Sequence, residues 1–231
     1  MKKLSKAMVV LLAGSMLLSG IGASAADENK AVETVSVQWQ KDLEELKQYG
    51  IFEGDTNGDF KPQENITKAE TAKAMCKALG LKPDNNGEQK FSDVDITHWA
   101  YGYINALVSA GLADGNGGAF LPDSEAVYGE ILKMFSDAMG YAPKAETLGG
   151  YPDGYAANAA QLGLTKNIGN ALDKPCPRYI AFELFSNALD VPFLLQTSFD
   201  FSGNTAEYAA ADGKDGRSYI TFRYKITGIK N

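Results

Sequence analysis

The chain has 231 residues, 45% hydrophobic and 22% charged, which is enough apolar material for a buried core and excludes a collagenous or wholly disordered chain. Its formal charge is −7; the first 26 residues hold three lysines and no acid, so 19 basic and 29 acidic residues remain, and that balance excludes a sequence-independent grip on nucleic acid, which needs clustered cations. Two cysteines, Cys76 and Cys176, are too few for a disulfide framework or a Cys-based zinc site, and the single histidine, His98, excludes any site that needs two.

Residues 1–26 read as a signal peptide. Lys2, Lys3 and Lys6 form a positive start, Ala7 to Leu18 an apolar stretch too short for a stable anchor, and Ala23-Ser24-Ala25 a small-residue cleavage site. Cleavage is expected after Ala25 or Ala26, with an uncleaved membrane anchor as the lesser reading. No cysteine lies near the site, so lipoprotein processing is not supported. The mature protein is therefore expected to be secreted, with no membrane contact after cleavage.

Beyond this segment the chain repeats itself. Phe60-Lys61-Pro62 returns as Phe120-Leu121-Pro122 and Ala78-Leu79-Gly80 as Ala138-Met139-Gly140, both at an offset of 60, and Ala188-Leu189-Asp190 follows 50 residues later. Gly50-Ile51, Gly111-Leu112 and Gly163-Leu164 mark the end of a first helix in each copy, since glycine suits a helix C-terminus. Each copy is thus helix, glycine-bearing loop, helix, and units of this size bury their apolar faces against one another.

In chain order, Thr67-Lys68-Ala69-Glu70 has the form of a capping box at the start of a helix. Lys82 to Gln89 reads as a linker. Ile104, Leu107 and Val108 line one face of a helix starting near Thr97, and Ile131, Leu132, Phe135 and Met139 one face of a helix starting near Ser124. Ala142 to Gly150 reads as a second linker, and Leu184, Phe185, Ala188 and Leu189 as the apolar face of a helix starting near Pro177. Six main helices are expected, with those near Thr67, Ser124 and Pro177 packed at the centre. After Leu195 the helical period stops. Ile220, Phe222, Tyr224 and Ile226 then alternate with polar residues, which predicts a strand, and Ala206 to Ala210 is a candidate partner for it. That apolar row is expected to pack on the repeats, to pair with another chain or to open a larger region beyond this sequence, and pairing or such a continuation is the favoured expectation.

Other motifs are weaker. Asp55-Thr56-Asn57-Gly58-Asp59 suggests calcium, but an EF-hand wants glycine at its sixth position and glutamate at its twelfth, where Phe60 and Ile66 stand, so a loop-capping turn is expected. No metal, cofactor or catalytic residue is assigned, as no nucleophile elbow, phosphate loop or zinc motif is present. Cys76 reads as a core residue. A bridge to Cys176 stays open on sequence alone.

Phe91-Ser92-Asp93-Val94, His98-Trp99-Ala100, Gly111-Leu112, Gly115, Phe120 and Pro122, with Ile66-Thr67-Lys68-Ala69-Glu70, together resemble the S-layer homology (SLH) repeat family over residues 37–192. The resemblance implies a mainly α fold of three helix-loop-helix repeats in a pseudo-trimeric bundle, followed here by a short C-terminal β segment. The domain division it implies is repeat 1 at 27–85, repeat 2 at 86–145, repeat 3 at 146–195 and a β-rich tail at 196–231. The activity it implies is non-catalytic attachment to bacterial cell-wall polysaccharide, including pyruvylated secondary polymer, in grooves between repeats at the cell surface.

Carried over residue by residue, the family's Thr-Arg-Ala-Glu motif is Thr67-Lys68-Ala69-Glu70 in the first unit, Val127-Tyr128-Gly129-Glu130 in the second and Pro177-Arg178-Tyr179-Ile180 in the third. The cation lies at a helix start, where backbone N–H groups and the helix dipole also favour a carboxylate. Trp99 matches the family aromatic, Tyr151 occupies its place in the third unit, and Trp39 is one residue out of register in the first. The implied glycan-binding set is Thr67, Lys68, Glu70, Trp99, Glu130, Tyr151 and Arg178, with at most two of three grooves competent. Trp99 reads equally as a core tryptophan and Lys68 as a solvated first-turn lysine. The alternative function is a surface interaction protein with degenerate glycan sites that recruits a protein partner, or a second copy, through residues 206–229.

Overall fold

A computed structural model describes residues 38–113, 118–200, 202–203 and 205–228. The signal-peptide reading of residues 1–26 lies outside these. Residues 38–48 are helical (α1), followed by α2 (Lys68–Leu79), α3 (Tyr101–Ser109), α4 (Tyr128–Ala138), α5 (Ala142–Thr147), α6 (Asp153–Gln161) and α7 (Arg178–Ala188), then strands β1 (Leu194–Asp200) and β2 (Thr205–Ala210) and a last short helix, α8 (Phe222–Thr227). The fold is mainly α with a two-stranded antiparallel sheet near its C-terminal end. Among the described residues no helix is long and apolar enough to cross a membrane.

The first helices α1, α3 and α6 end alike. Gly50, Gly111 and Gly163 each take positive φ, and the following residue donates back five positions: Ile51 to Leu46, Leu112 to Leu107 and Leu164 to Ala159. This closes the terminal carbonyls and turns an apolar side chain inward, with Ile51 and Leu164 fully buried.

The second helices α2, α4 and α7 are joined by a closed cycle of backbone hydrogen bonds just before their first turns. Ile66 N–H donates to the Cys176 carbonyl, Cys176 to Ala126 and Ala126 back to Ile66, at 2.8–2.9 Å. An outer cycle runs in the opposite sense: Lys68 donates to Ser124, Tyr128 to Lys174 and Arg178 to Glu64, each at 2.9 Å. A third follows one residue on, from Ala69 to Pro122, Gly129 to Leu172 and Tyr179 to Pro62. The helices also touch through side chains, by Lys68–Glu130, Arg178–Glu70 and the edge-to-face pair Phe135–Phe185. Met75, Phe135, Phe182 and Phe185 fill the centre.

Three local expectations are corrected. The helix placed near Ser124 starts at Tyr128, because the Ser124 carbonyl is taken by Lys68 N–H and Glu125 and Val127 form bridges with Thr67 and Pro175. The linker at 142–150 contains α5, whose Pro143 suits a first turn and whose Ala145 is fully buried. The strand expected at 220–226 is helix α8. Thr221 Oγ1 accepts the Tyr224 N–H and Gly228 closes the other end at φ 71°, so local capping overrides the alternating pattern, and Phe222 and Ile226 share a helical face. β2 does form over the Ala206–Ala210 run, but it pairs with β1, which the sequence did not signal; the register slips between Gln196 and Ser198.

The tail packs against the C-terminal ends of the central helices. Leu194 donates to the Met139 carbonyl and Arg223 N–H to Leu189, while Phe222, 1% exposed, stacks edge-on against Phe135 and Phe193. Gly140 is required twice over there: its φ is 83°, and a Cβ would lie 2.2 Å from the Leu194 carbonyl oxygen. The Arg223 guanidinium pairs with Asp190 and with Glu45 of α1, tying the chain's first described helix to its last. Both cysteines are free and buried, Cys76 against the Tyr103 carbonyl.

One buried pair sets a pH dependence. Asp42 of α1 and Glu183 of α7 are 8% and 5% exposed. Burial, reinforced by the Asp42 charge, pushes the Glu183 carboxyl up to about 7, whereas Asp42 is raised by burial but eased by hydrogen bonds from Ser186 and Gln38. A carboxyl whose folded pKa is raised favours folding while it stays protonated, so its contribution is full below its ordinary value of 4.5 and is lost as pH rises from there to about 7. Glu183→Gln is expected to flatten that loss: urea unfolding at pH 5 and pH 7.5 should differ by about 2 kcal/mol less in the variant than in the parent.

Candidate functional site

The seven residues singled out by sequence divide between two clefts beside the cycle. The first, of about 610 Å³, holds Thr67, Glu70, Trp99 and Arg178; the second, of about 490 Å³, holds Lys68, Glu130 and Tyr151. Each draws on all three units, because every second helix meets its neighbours' loops.

In the first cleft Thr67 is the N-cap of α2. Its Oγ1 accepts Glu70 N–H at 3.2 Å and Glu70 Oε2 accepts Thr67 N–H at 3.0 Å, completing the capping box. The same Glu70 oxygen takes Arg178 Nη1 at 2.5 Å, and Arg178 Nε donates to the Phe60 carbonyl at 2.7 Å. Arg178 is thus a nearly buried floor residue reaching from the third unit into the first. Trp99 stands on the wall, 52% exposed, with its ring stacked on His98 at 5.7 Å. The core reading of this tryptophan is excluded. His98 is itself half-buried: Nδ1 accepts Ala100 N–H, and Nε2 lies 3.7 Å from Asp123.

In the second cleft Lys68 Nζ lies 3.2 Å from Glu130 Oε1, and Tyr151, 49% exposed, lines the same cleft. Burial first, then the Glu130 charge, raises the Tyr151 phenol above its ordinary range, so it stays a neutral hydrogen-bonding group. Leu121, 53% exposed at φ 60°, forms part of the rim. The Asp93 carboxylate holds that strained residue by accepting Phe120 and Leu121 N–H at 2.8 and 2.7 Å; burial opposes its ionisation, but these two donors outweigh it and lower its pKa. This links Phe91-Ser92-Asp93-Val94 to Phe120-Leu121-Pro122.

The cation of one unit meets the acid of the next at Lys68–Glu130 and Arg178–Glu70. The third crossing, Tyr128 with Ile180, carries no charge, and both residues are 3% exposed within the core. Burial, with a smaller effect of Cys176, pushes the Tyr128 phenol up to about 12. Trp39 lines neither cleft and packs on Phe182 at 6.3 Å.

One expectation fails on geometry. The first three N–H groups of α2 donate to Ser124, Pro122 and Thr67 Oγ1, and the first two of α7 to Glu64 and Pro62, so these helix starts offer the dipole but not free N–H groups to an incoming carboxylate.

Sequence reasoning missed Lys73 and Lys133, which line the first and second clefts and pair with Glu53 at 2.5 Å and Asp137 at 2.6 Å. The 60-residue offset that relates Glu70 to Glu130 also relates these lysines, and each lies three residues along the same helix face, so the signal was available. At Asp55–Asp59 the structure has an acid-capped turn, Asp55 accepting the N–H groups of Asn57 and Asp59. Among the described residues no group of acidic, histidine or cysteine side chains could hold a metal.

Residues 34–72 and 90–132 match the S-layer homology domain. The chain is 27% identical over 181 residues to a surface layer protein of Brevibacillus choshinensis, covering 77% of this chain and 16% of that protein. It is 26% identical over 203 residues to a middle cell wall protein of Brevibacillus brevis, covering 85% and 19%, and 28% identical over 166 residues to an exoglucanase of Acetivibrio thermocellus, covering 65% and 15%. The chain therefore spans less than a fifth of the length of these relatives.

The two tryptophans give a direct check on the walls. In Trp39→Phe, leaving Trp99, acrylamide should quench emission several-fold more steeply than in Trp99→Phe; equal quenching would place Trp99 in the core.

Proposed function

Because the chain belongs to the S-layer homology family, we propose that it is a non-catalytic attachment module that holds the exported protein to cell-wall polysaccharide at the bacterial surface. The observation that carries this reading is the first cleft, which an exposed indole shares with an ion pair drawn from two different units. An aromatic wall stacks on the C–H face of a sugar while fixed polar groups orient its hydroxyls. The third helical unit, 146–195, is read as a further repeat of the same kind, since it supplies Arg178 and Tyr151 to the clefts. That one stretch aligns to small parts of a surface layer protein and of an exoglucanase supports a shared attachment role over a shared reaction. The pyruvylated form of the polymer is the finer expectation, and its carboxylate would have to win Arg178 from Glu70 or Lys68 from Glu130.

Sedimentation with purified wall sacculi, with and without their secondary polymer, tests the reading. The mature protein should pellet only with polymer-bearing sacculi, and Trp99→Ala should weaken binding by about 1 kcal/mol, roughly fivefold. Unchanged pelleting on stripped sacculi would overturn it.

A second reading, recruitment of a protein partner or second copy through residues 206–229, finds support only in the hairpin, where Phe199 and Tyr208 are 38% and 39% exposed; Ala211, Thr221 and Phe222 turn inward. If it holds, Tyr208→Glu should lower the mass seen by light scattering at high concentration. A parent that is strictly monomeric would remove the self-association form of it.

A further inference from the structure

Two residues that line the clefts sit in a backbone conformation that their side chains disfavour. Lys61, in the first cleft, has φ 47°, and Leu121, in the second, has φ 60°. Among the described residues the other non-glycine positions with positive φ are Asn167 and Asp215, residue types that adopt this region more readily than lysine or leucine. We propose, resting on the attachment reading, that Lys61 and Leu121 are specificity-determining residues, one loop position presenting a cation to the saccharide in the first cleft and an apolar surface in the second.

The position is equivalent in the two units. Each residue directly precedes a proline whose carbonyl accepts a neighbouring unit's N–H, Tyr179 to Pro62 and Ala69 to Pro122, and the third unit places Ala171 before Leu172 in the same role. A carboxylate clamps each strained residue: Asp59 accepts Lys61 N–H at 2.8 Å, and Asp93 accepts Leu121 N–H at 2.7 Å. Ala171 N–H is likewise held, by Asn170 Oδ1 at 2.9 Å, yet Ala171 does not take positive φ and lines neither cleft. The backbone cycle therefore does not require the strain, which occurs where a cleft is present. Strain clamped in place at a binding surface marks side chains set for a ligand, and Leu121 is in addition 53% exposed.

The two side chains differ in what they offer. In the first cleft Arg178 is held by Glu70 and Lys73 by Glu53, both at 2.5 Å, whereas Lys61 Nζ lies 3.7 Å from Asp55 and its side chain is 43% exposed. Its ammonium is the most loosely held cation lining that cleft, so an acidic group of the polymer meets Lys61 at least cost. In the second cleft Leu121 shares the lining with Leu112, Phe120 and Met134, a surface suited to the C–H face of a sugar ring or to an acyl methyl group.

Glycine relieves the backbone while removing the side chain, so it separates a binding role from a structural one. Lys61→Gly and Leu121→Gly should each leave Tm unchanged or raise it by a few degrees, yet weaken binding to wall polysaccharide released from sacculi by about fivefold. Exchanged side chains give the direction and cover a glycine variant that misfolds. Lys61→Leu should flatten the salt dependence of polymer binding and Leu121→Lys should steepen it. Glycine variants that fold and bind as the parent does, or exchanges that leave the salt dependence unmoved, would overturn the inference while sacculus binding persists. A parent that fails to pellet with polymer-bearing sacculi would overturn the attachment reading and this inference with it.

Discussion

The cycle of backbone hydrogen bonds through Ile66, Ala126 and Cys176 is the constraint on which the rest of the molecule depends. A helix start leaves several N–H groups without intrahelical partners, and a bundle of three such starts brings them together where water is scarce. Here each unit satisfies its neighbour. The extended residue before one helix donates to the residue before another, and the next two N–H groups, at Lys68 and Ala69 in the first unit, reach the Phe-x-Pro loop of the following unit. No unit can complete its own helix start, so the three are obliged to fold as one.

That arrangement also makes the clefts. Because each loop is drawn across to its neighbour, first-turn side chains are aimed between units, and a cation from one meets an acid from the next. The same bonds remove free N–H groups from the helix starts, so recognition falls to side chains: an indole, a phenol and paired ions. Where the third crossing carries Tyr128 and Ile180, burial has replaced charge, and that interface contributes packing to the core.

The tail closes the opposite ends of the central helices. Leu194 and Arg223 take carbonyls left at the ends of α4 and α7, Phe222 fills the space beside Phe135, and the Arg223 guanidinium bridges α1 to the residue after the third unit's last turn. The bundle is thus capped by backbone exchange at one end and by the tail at the other, leaving the β1–β2 hairpin as the part of the tail most exposed to solvent.

The repeat offsets, the glycine-terminated first helices, the capping box at Thr67 and the apolar faces of α3, α4 and α7 were legible in the sequence, because each rests on local periodicity or on a backbone preference that a few neighbouring residues decide. The site was legible only as a set of residue types. Nothing local to Lys68 or Arg178 says that their partners are Glu130 and Glu70, more than sixty residues away in each case, or that the set divides between two clefts. Periodicity also misled at residues 220–226, where apolar residues at every second position fit a strand but Phe222 and Ile226 equally fit one face of a short helix, and the caps at Thr221 and Gly228 decided between them. Sequence by itself determined the units and their helices, since those are set by near-neighbour sterics and hydrogen bonding. Tertiary structure alone decided the pairing of charges, the exposure of Trp99 and the occupied state of the helix starts, because each depends on which distant groups the cycle brings within a few ångströms.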